Sequence, residues 1–98
     1  MFVVEGTDRF KSRIKSLRDR QARAVINVRL RRLERGNMGD VTTIGGGVSE
    51  LLVKHGLGYR VYFAMKGKTV VVLLCGGDKG SQSRDIVDAK QMAKDMKD

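Results

Sequence analysis

Three side chains beside an apolar hairpin pattern offer the most specific chemistry in this sequence. Arg60 and Tyr62 alternate with the apolar residues of one segment, and Lys79 follows the glycine pair that ends the next. Alternate residues of a strand share a face, so Arg60 and Tyr62 should lie together, with Lys79 leaving the end of the neighbouring strand. A guanidinium, a phenol and an ammonium suit a phosphodiester. The sequence has no cluster of Cys, His or carboxylates at ligand spacing, so it predicts neither a metal nor a cofactor.

Two further candidates, His55 and Lys54, lie just before the hairpin. His55 is the single histidine, and imidazole is the side chain that titrates nearest neutral pH, which suits acid–base work. Lys54 is expected to contact a phosphodiester backbone rather than to react. The alternative for both is an exposed position near a turn. The glycines at 45–47 and the GKT run at 67–69 lack the context and spacing of a phosphate-binding loop, so neither predicts a nucleotide site.

A predicted β-hairpin positions these side chains. Residues 59–66 alternate between apolar and polar, the period of a strand, and Gly67 supplies a turn residue. Residues 70–75 are continuously apolar, as in a strand buried on both faces, so Cys75 is expected in the core. The glycine pair at 76–77 then frees the backbone just before the predicted site lysine.

Helical and extended patterns surround the hairpin. The N-terminus predicts a short strand, and apolar spacings of three and four predict two helices, of which the second runs to Arg35. Thr7 or Asp8 is expected to cap the first helix. Residues 48–55 predict another strand, and the C-terminal segment predicts a last helix.

This order of elements predicts an α+β fold in a single domain over residues 1–98. Consecutive strands with short links pair in antiparallel fashion, and the helical pair must bury its apolar stripe against one sheet face. We therefore expect a two-layer fold, with an N-terminal helical hairpin packed on a small antiparallel-rich sheet and a C-terminal helix. The sheet face that carries Arg60 and Tyr62 is expected to be open and partly polar, which would leave Tyr62 available to stack on a base.

The charge of the chain favours a polyanion or an acidic protein as partner. Lys and Arg number 20 against 11 Asp and Glu, and the whole net charge of +9 falls within residues 9–35. In this basic segment Arg23, Arg31 and Arg35 lie away from the apolar stripe of the second helix, so they are candidates for RNA contacts. A solvated helical face is the alternative. A DNA-binding hairpin is disfavoured, because the turn near Asp19 lacks the glycine of a helix-turn-helix.

Cysteine use and hydropathy predict a cytoplasmic protein with no membrane partner. Cys75 is the single cysteine, so it cannot form an intrachain disulfide, and a reducing compartment is the simpler interpretation. The N-terminus lacks a signal-peptide pattern. The apolar runs fall far short of the roughly 20 residues that span a bilayer.

Four motifs along the chain resemble one known family. They are GNMGD at 36–40, GVSEL at 47–51, GYRVYF at 58–63 and LLCGGDK at 73–79. Their order and spacing are similar to those of the HigB-like branch of the RelE toxin superfamily, which includes phage Gp49-like proteins. The resemblance implies a RelE-type fold and a type II toxin, a metal-independent endoribonuclease that cleaves messenger RNA, often on the ribosome. It also implies a cognate antitoxin, expected to be a helix-turn-helix DNA-binding protein.

The resemblance assigns roles to individual residues as well. Arg60 matches the arginine of the family's YRV motif, and Lys79 matches the lysine of its GGDK motif. With His55, which is proposed on its chemistry alone, they are the candidate catalytic residues. Leu52 and Thr42 stand where the family usually carries cations. A second hypothesis therefore stays open, in which a protein of this fold binds RNA or antitoxin without efficient cleavage.

Overall fold

This computed structural model describes residues 1–56 and 58–96. Five strands form one sheet, and three helices pack on its two faces. In chain order the elements are β1 (Val3–Gly6), α1 (Asp8–Ser16), α2 (Arg20–Glu34), β2 (Val41–Gly45), β3 (Val48–Val53), β4 (Tyr59–Lys66), β5 (Val70–Asp78) and α3 (Gln82–Met96). A 3₁₀ turn over Lys79–Ser81 joins β5 to α3.

The sheet is mixed and has the strand order β1-β5-β4-β3-β2. Strands β2 to β5 form an antiparallel meander, as expected for short connections, whereas β1 pairs with β5 in parallel. The parallel pair is possible because α1, α2 and the other three strands separate β1 from β5 along the chain. The predicted α+β class, helical hairpin, antiparallel-rich sheet and C-terminal helix are confirmed.

Both N-terminal helices begin at a side-chain cap. Thr7 caps α1, with its hydroxyl oxygen accepting from the Phe10 backbone N–H at 3.1 Å. Asp19 caps α2, with Oδ1 accepting from the N–H groups of Gln21 and Ala22 at 2.9 and 3.1 Å. Each cap satisfies donors that have no partner within the helix. Within the described ranges, no helix is both long and apolar enough to cross a membrane.

One sheet face packs against the helical hairpin through apolar side chains. Ile26 and Leu33 of α2 are fully buried, Phe10 of α1 is nearly so, and Leu30 is partly buried. The buried sheet residues that complete this core are Leu51, Val53, Tyr59, Val61, Phe63, Val71 and Leu73. The predicted apolar stripes of α1 and α2 are therefore confirmed.

The opposite face was predicted to be open, and this prediction is wrong over most of its area. Helix α3 packs across it, and the small residues Ala89 and Ala93 allow the helix to lie close to the sheet. The sheet residues buried beneath α3 are Val48, Tyr62, Ala64, Leu74 and Cys75. The C-terminal pattern identified the helix, but periodicity alone could not show which face it covers.

A bulge in β5 explains the unbroken apolar run of that strand. Tyr62 pairs with Cys75 and Phe63 pairs with Leu73, so Leu74 has no residue opposite it on β4. The extra residue shifts the alternation, and Leu74 and Cys75 both join the core under α3. Leu73 joins the core under the helical hairpin. The strand is thus buried on both faces, as its sequence predicts.

Candidate functional site

Arg60 lies near the start of β4, two residues before the fully buried Tyr62. It is in register with Leu52 on β3 and with Gly77 on β5. Strand β5 ends one residue after Gly77 and is followed by the 3₁₀ turn. Its side chain is only 15% exposed. The guanidinium is therefore held among neighbouring groups rather than extended into solvent, in contrast to an ordinary surface arginine.

The guanidinium of Arg60 has unused hydrogen-bond donors. Its Nε is 3.9 Å from Oε2 of Glu50, close enough for electrostatic attraction but too far for a hydrogen bond. Glu50 Oε2 instead accepts from Gln82 Nε2 at 3.1 Å. Among the residues that the structure describes, no group accepts from Arg60 Nε or Nη1, although both atoms are buried. Buried donors without an acceptor are rare in folded proteins, so this guanidinium differs from an ordinary structural arginine.

A cavity of about 410 Å³ lies beside this guanidinium. The cavity is lined by the end of β3, the connection from β3 to β4 and the start of β4. The lining residues are Leu52, Lys54, His55, Gly56, Gly58 and Arg60. Three of these side chains are basic, and the lining includes no carboxylate. The cavity is therefore suited to an anion, and the planar fork of an arginine matches two oxygens of a phosphate.

The glycine pair at the end of β5 is required by close packing beside Arg60. A Cβ at Gly76 would lie 3.0 Å from the carbonyl oxygen of Arg60. A Cβ at Gly77 would overlap the side chains of Asp85 and Ser81. The GGDK motif thus lets the start of α3 approach the backbone of the strand next to the cavity.

A buried carboxylate fixes that start of α3. Asp85 is 6% exposed, and its Oδ2 accepts from the Ser81 hydroxyl at 2.6 Å. Its Oδ1 is 3.6 Å from Nη2 of Arg9, which also contacts Asp88 Oδ2 at 2.7 Å. The ion pairs and hydrogen bonds of Asp85 therefore tie α1, the 3₁₀ turn and α3 together. Sequence analysis did not predict that Asp85 is buried, because an acidic residue in the first turn of a helix is usually exposed.

His55 lies in the same cavity and is oriented by a carboxylate. Its Nε2 is 3.2 Å from Oδ2 of Asp19, the cap of α2. Hydrogen bonds from the Ala22 N–H and from His55 lower the pKa of Asp19, so the carboxylate is ionised and can only accept. His55 Nε2 therefore carries a proton and donates it in this hydrogen bond. Sequence analysis missed Asp19, whose single signal was its place before the second helix.

Tyr62 does not have the predicted role. It was expected on an open face, available to stack on a base, but its side chain is fully buried beneath α3. Burial, followed by the neighbouring Glu50 carboxylate, raises its pKa. Tyr62 is part of the core and cannot contact RNA in this conformation.

Lys79 and Lys54 are placed differently relative to the cavity. Lys79 is exposed in the 3₁₀ turn, two residues after the strand partner of Arg60, and its side chain is not part of the cavity lining. Convergence of Lys79 with Arg60 stays a prediction. Lys54 does line the cavity, and its Nζ is 3.2 Å from Asp40 Oδ2.

The arginines of α2 and the Arg35 cap that follows it are exposed to solvent or line surface cavities. Arg31 and Arg35 are exposed, while Arg23 is half-buried and lines a groove of about 680 Å³ between α1 and α2. Arg29 and Arg32, which sequence analysis did not single out, line a cavity of about 350 Å³ next to β3. Contact of Arg23, Arg31 and Arg35 with RNA was inferred from charge, and it stays a prediction.

No group of three or more His, Cys, Asp or Glu residues is arranged to hold a metal ion within residues 1–56 and 58–96. Cys75 is a free thiol with 1% exposure, and burial raises its pKa to about 11. Its Sγ is 3.5 Å from the Asp85 carbonyl oxygen. The thiol is therefore a core group, in agreement with the sequence prediction.

Comparison with known proteins places the chain in a family. Residues 12–97 match the family described as "Phage derived protein Gp49-like (DUF891)", and the chain belongs to this family, which is associated with toxin–antitoxin systems. It is also similar to a protein of Haemophilus influenzae that carries the description "Uncharacterized protein". The two are 41% identical over 93 residues, which cover 95% of this chain and 94% of that protein.

Proposed function

We propose that this protein is the toxin of a type II toxin–antitoxin system and acts as an endoribonuclease on messenger RNA, on the ribosome. A cognate antitoxin, of the helix-turn-helix DNA-binding type, would neutralise it. Membership of the Gp49-like family supports the toxin role. The observation that carries the RNA hypothesis is Arg60, a nearly buried guanidinium with two unused donors beside a basic cavity. A phosphodiester is the RNA group that these donors would bind.

In the proposed reaction, RNA supplies its own nucleophile. The 2′-hydroxyl loses its proton, its oxygen bonds to the adjacent phosphorus, and the bond from phosphorus to the 5′-oxygen breaks. The products are a 2′,3′-cyclic phosphate and a 5′-hydroxyl end. Arg60 would stabilise the extra negative charge of the phosphorane, because its guanidinium is positively charged and the residue lines the cavity. Glu50 limits how far this guanidinium can move, since it attracts Nε from 3.9 Å.

His55 is the proposed general base. Its Nε2–H donates to Asp19, which leaves the Nδ1 lone pair to take the proton of the 2′-hydroxyl. Asp19 would act as a positioning residue, because it fixes the tautomer and the orientation of the ring. The leaving 5′-oxygen would take its proton from solvent at the mouth of the cavity. Lys54 and Lys79 would add attraction for the phosphate backbone without entering the chemical step.

A second function, RNA or antitoxin binding without efficient cleavage, is supported by Leu52. This residue lies directly opposite Arg60 on β3 and lines the same cavity. An apolar side chain there provides a wall but no donor for a phosphorane. A protein with this site would retain affinity for RNA and cleave it slowly.

Induced expression in a bacterial host distinguishes the two functions. The endoribonuclease proposal predicts growth arrest by the wild type, new 5′ ends within translated messenger RNAs, and loss of both effects in Arg60→Ala. Lys94→Ala, which removes an exposed charge in the last turn of α3, is the matched control and should remain toxic. Wild-type protein that binds RNA but leaves transcripts intact would favour the binding function. Protein that neither cleaves nor binds RNA would overturn the endoribonuclease function and the RNA-binding function.

A further inference from the structure

A second basic cavity adjoins the one at Arg60. It has a volume of about 350 Å³ and is formed by α2, the α2–β2 connection and β3 with the residue that follows it. Its charged side chains are Arg29, Arg32, Lys54 and Asp40. Lys54 Nζ and Asp40 Oδ2 are 3.2 Å apart, so the acid of this cavity is already paired. Within the part of the chain that the structure describes, no carboxylate lies within ion-pair distance of Arg29 or Arg32.

The Arg29 guanidinium is held in place by the α2–β2 connection. Its Nη2 donates to the Met38 carbonyl oxygen at 2.9 Å. Gly39 has a φ of +65° and lies so close to this guanidinium that a side chain at that position would overlap it. The remaining donors of Arg29 are therefore presented by a guanidinium whose position is fixed by the backbone. Gly39, the second glycine of the GNMGD motif, is therefore needed for the α2–β2 connection to pack against Arg29.

Two residues join the cavities. Leu52 and Lys54 line both of them, so the Arg29 cavity and the Arg60 cavity share a wall. Leu52 is the position where sequence analysis expected a cation, and the structure brings two arginines of α2 to the far side of that residue. An apolar wall between two cationic cavities matches a nucleic-acid strand, in which a ribose or base separates consecutive phosphates.

We propose that the Arg29–Arg32–Lys54 cavity is a second phosphate subsite, which holds a neighbouring phosphodiester of the same RNA strand that places its reacting phosphate at Arg60. The inference rests on the proposed function for the identity of the strand. Two subsites on either side of Leu52 would fix the register of the RNA and keep affinity high without an arginine at position 52.

Binding measured with RNA that cannot be cleaved tests this inference. The probes are a 2′-O-methyl octanucleotide and a 2′-O-methyl dinucleotide with one phosphodiester, because a methylated 2′-oxygen cannot attack. Arg29→Gln and Arg32→Gln should each weaken octanucleotide binding roughly tenfold, the scale of one hydrogen bond to a charged group. The dinucleotide should bind to these variants as it does to the wild type, since one phosphate occupies one subsite. The salt dependence of octanucleotide affinity should flatten by about 0.7 in log–log slope per lost contact.

Lys94→Gln is the charge-matched control, because Lys94 is exposed and lies in the last turn of α3. An equal loss of affinity in Lys94→Gln would show that net charge alone matters and would overturn the subsite. An unchanged octanucleotide affinity in Arg29→Gln and Arg32→Gln would overturn it as well. Failure of the proposed function appears separately, as unmodified RNA that the wild type binds but leaves intact.

Discussion

The two faces of the sheet differ in how many polar groups they bury. Under α1 and α2, the buried side chains form an apolar core, with Ile26 and Leu33 at its centre. Under α3, a smaller apolar core is bordered by polar groups, among them the nearly buried Arg60 and Asp85. The first face therefore supplies stability, while the second gives up apolar burial at its edge to hold a guanidinium beside a cavity. Burying a polar group costs free energy unless a hydrogen-bond partner from the protein, water or a ligand satisfies it.

The largest effect on stability should come from the apolar face. Ile26→Ala and Leu33→Ala should each lower the free energy of unfolding by roughly 2–5 kcal/mol, because both side chains are fully buried. Val28→Ala on the same helix is the control, since Val28 is 44% exposed and its loss should cost little. Denaturant unfolding gives these differences. Equal costs at Leu33 and Val28 would contradict the assignment of this face as the stabilising core.

A smaller loss is expected on the α3 face when its carboxylate network is broken. Asp85→Ala removes the acceptor of the Ser81 hydroxyl and the buried partner of Arg9, and should cost about 1–3 kcal/mol. Asp88 contacts the same arginine but is more exposed, so Asp88→Ala should cost less than about 1 kcal/mol. Thermal unfolding of both variants measures the contrast. If the two changes are equivalent, the network does not fix the start of α3.

The thiol of Cys75 reports on whether the α3 face opens. Burial raises its pKa to about 11, so only about one thiol in a thousand is ionised at pH 8. Labelling by a thiol reagent should therefore be slow in the native protein and rapid in denaturant. A native rate close to the unfolded rate would show that α3 separates from the sheet frequently.

The smallest expected effect concerns Asp19. Its pKa is lowered from 3.8 in the folded state, so its contribution to stability is present above that pH and is lost as the pH falls through the lower folded value. Asp19→Asn keeps an oxygen to cap α2 but removes the charge. The melting temperature of the wild type should fall more steeply below pH 4 than that of the variant. Parallel curves would mean that the Asp19 carboxylate contributes nothing through its ionisation.

The apolar face was almost fully predictable from the sequence, because its signals are periodic. Helical spacing identified the stripe that contains Ile26 and Leu33, and alternation identified Tyr59 and Val61 as buried. The bulge at Leu74 does not affect the prediction that residues 70–75 are buried on both faces, because every residue of this segment is apolar.

The other face was less predictable, because its arrangement depends on how distant segments meet. Periodicity placed Tyr62 on the same face as Arg60. It could not show that Tyr62 is buried beneath α3 whereas Arg60 lines a cavity. The Asp19–His55 contact joins residues 36 positions apart, and no local pattern encodes it. The same holds for Arg29 and Arg32, whose cavity exists only because the GNMGD connection folds back over α2.

The central claim is that Arg60 stabilises the transition state of RNA cleavage, and a single-turnover cleavage rate tests it most directly. With purified protein and a translated messenger RNA, Arg60→Ala should be slower than the wild type by roughly 10²–10³, the scale for loss of one preorganised donor. Arg60→Lys, which keeps the charge without the planar fork, should lie between them. Unchanged unfolding temperatures would establish that the variants are folded. A rate in Arg60→Ala within a factor of two of the wild type would contradict the claim.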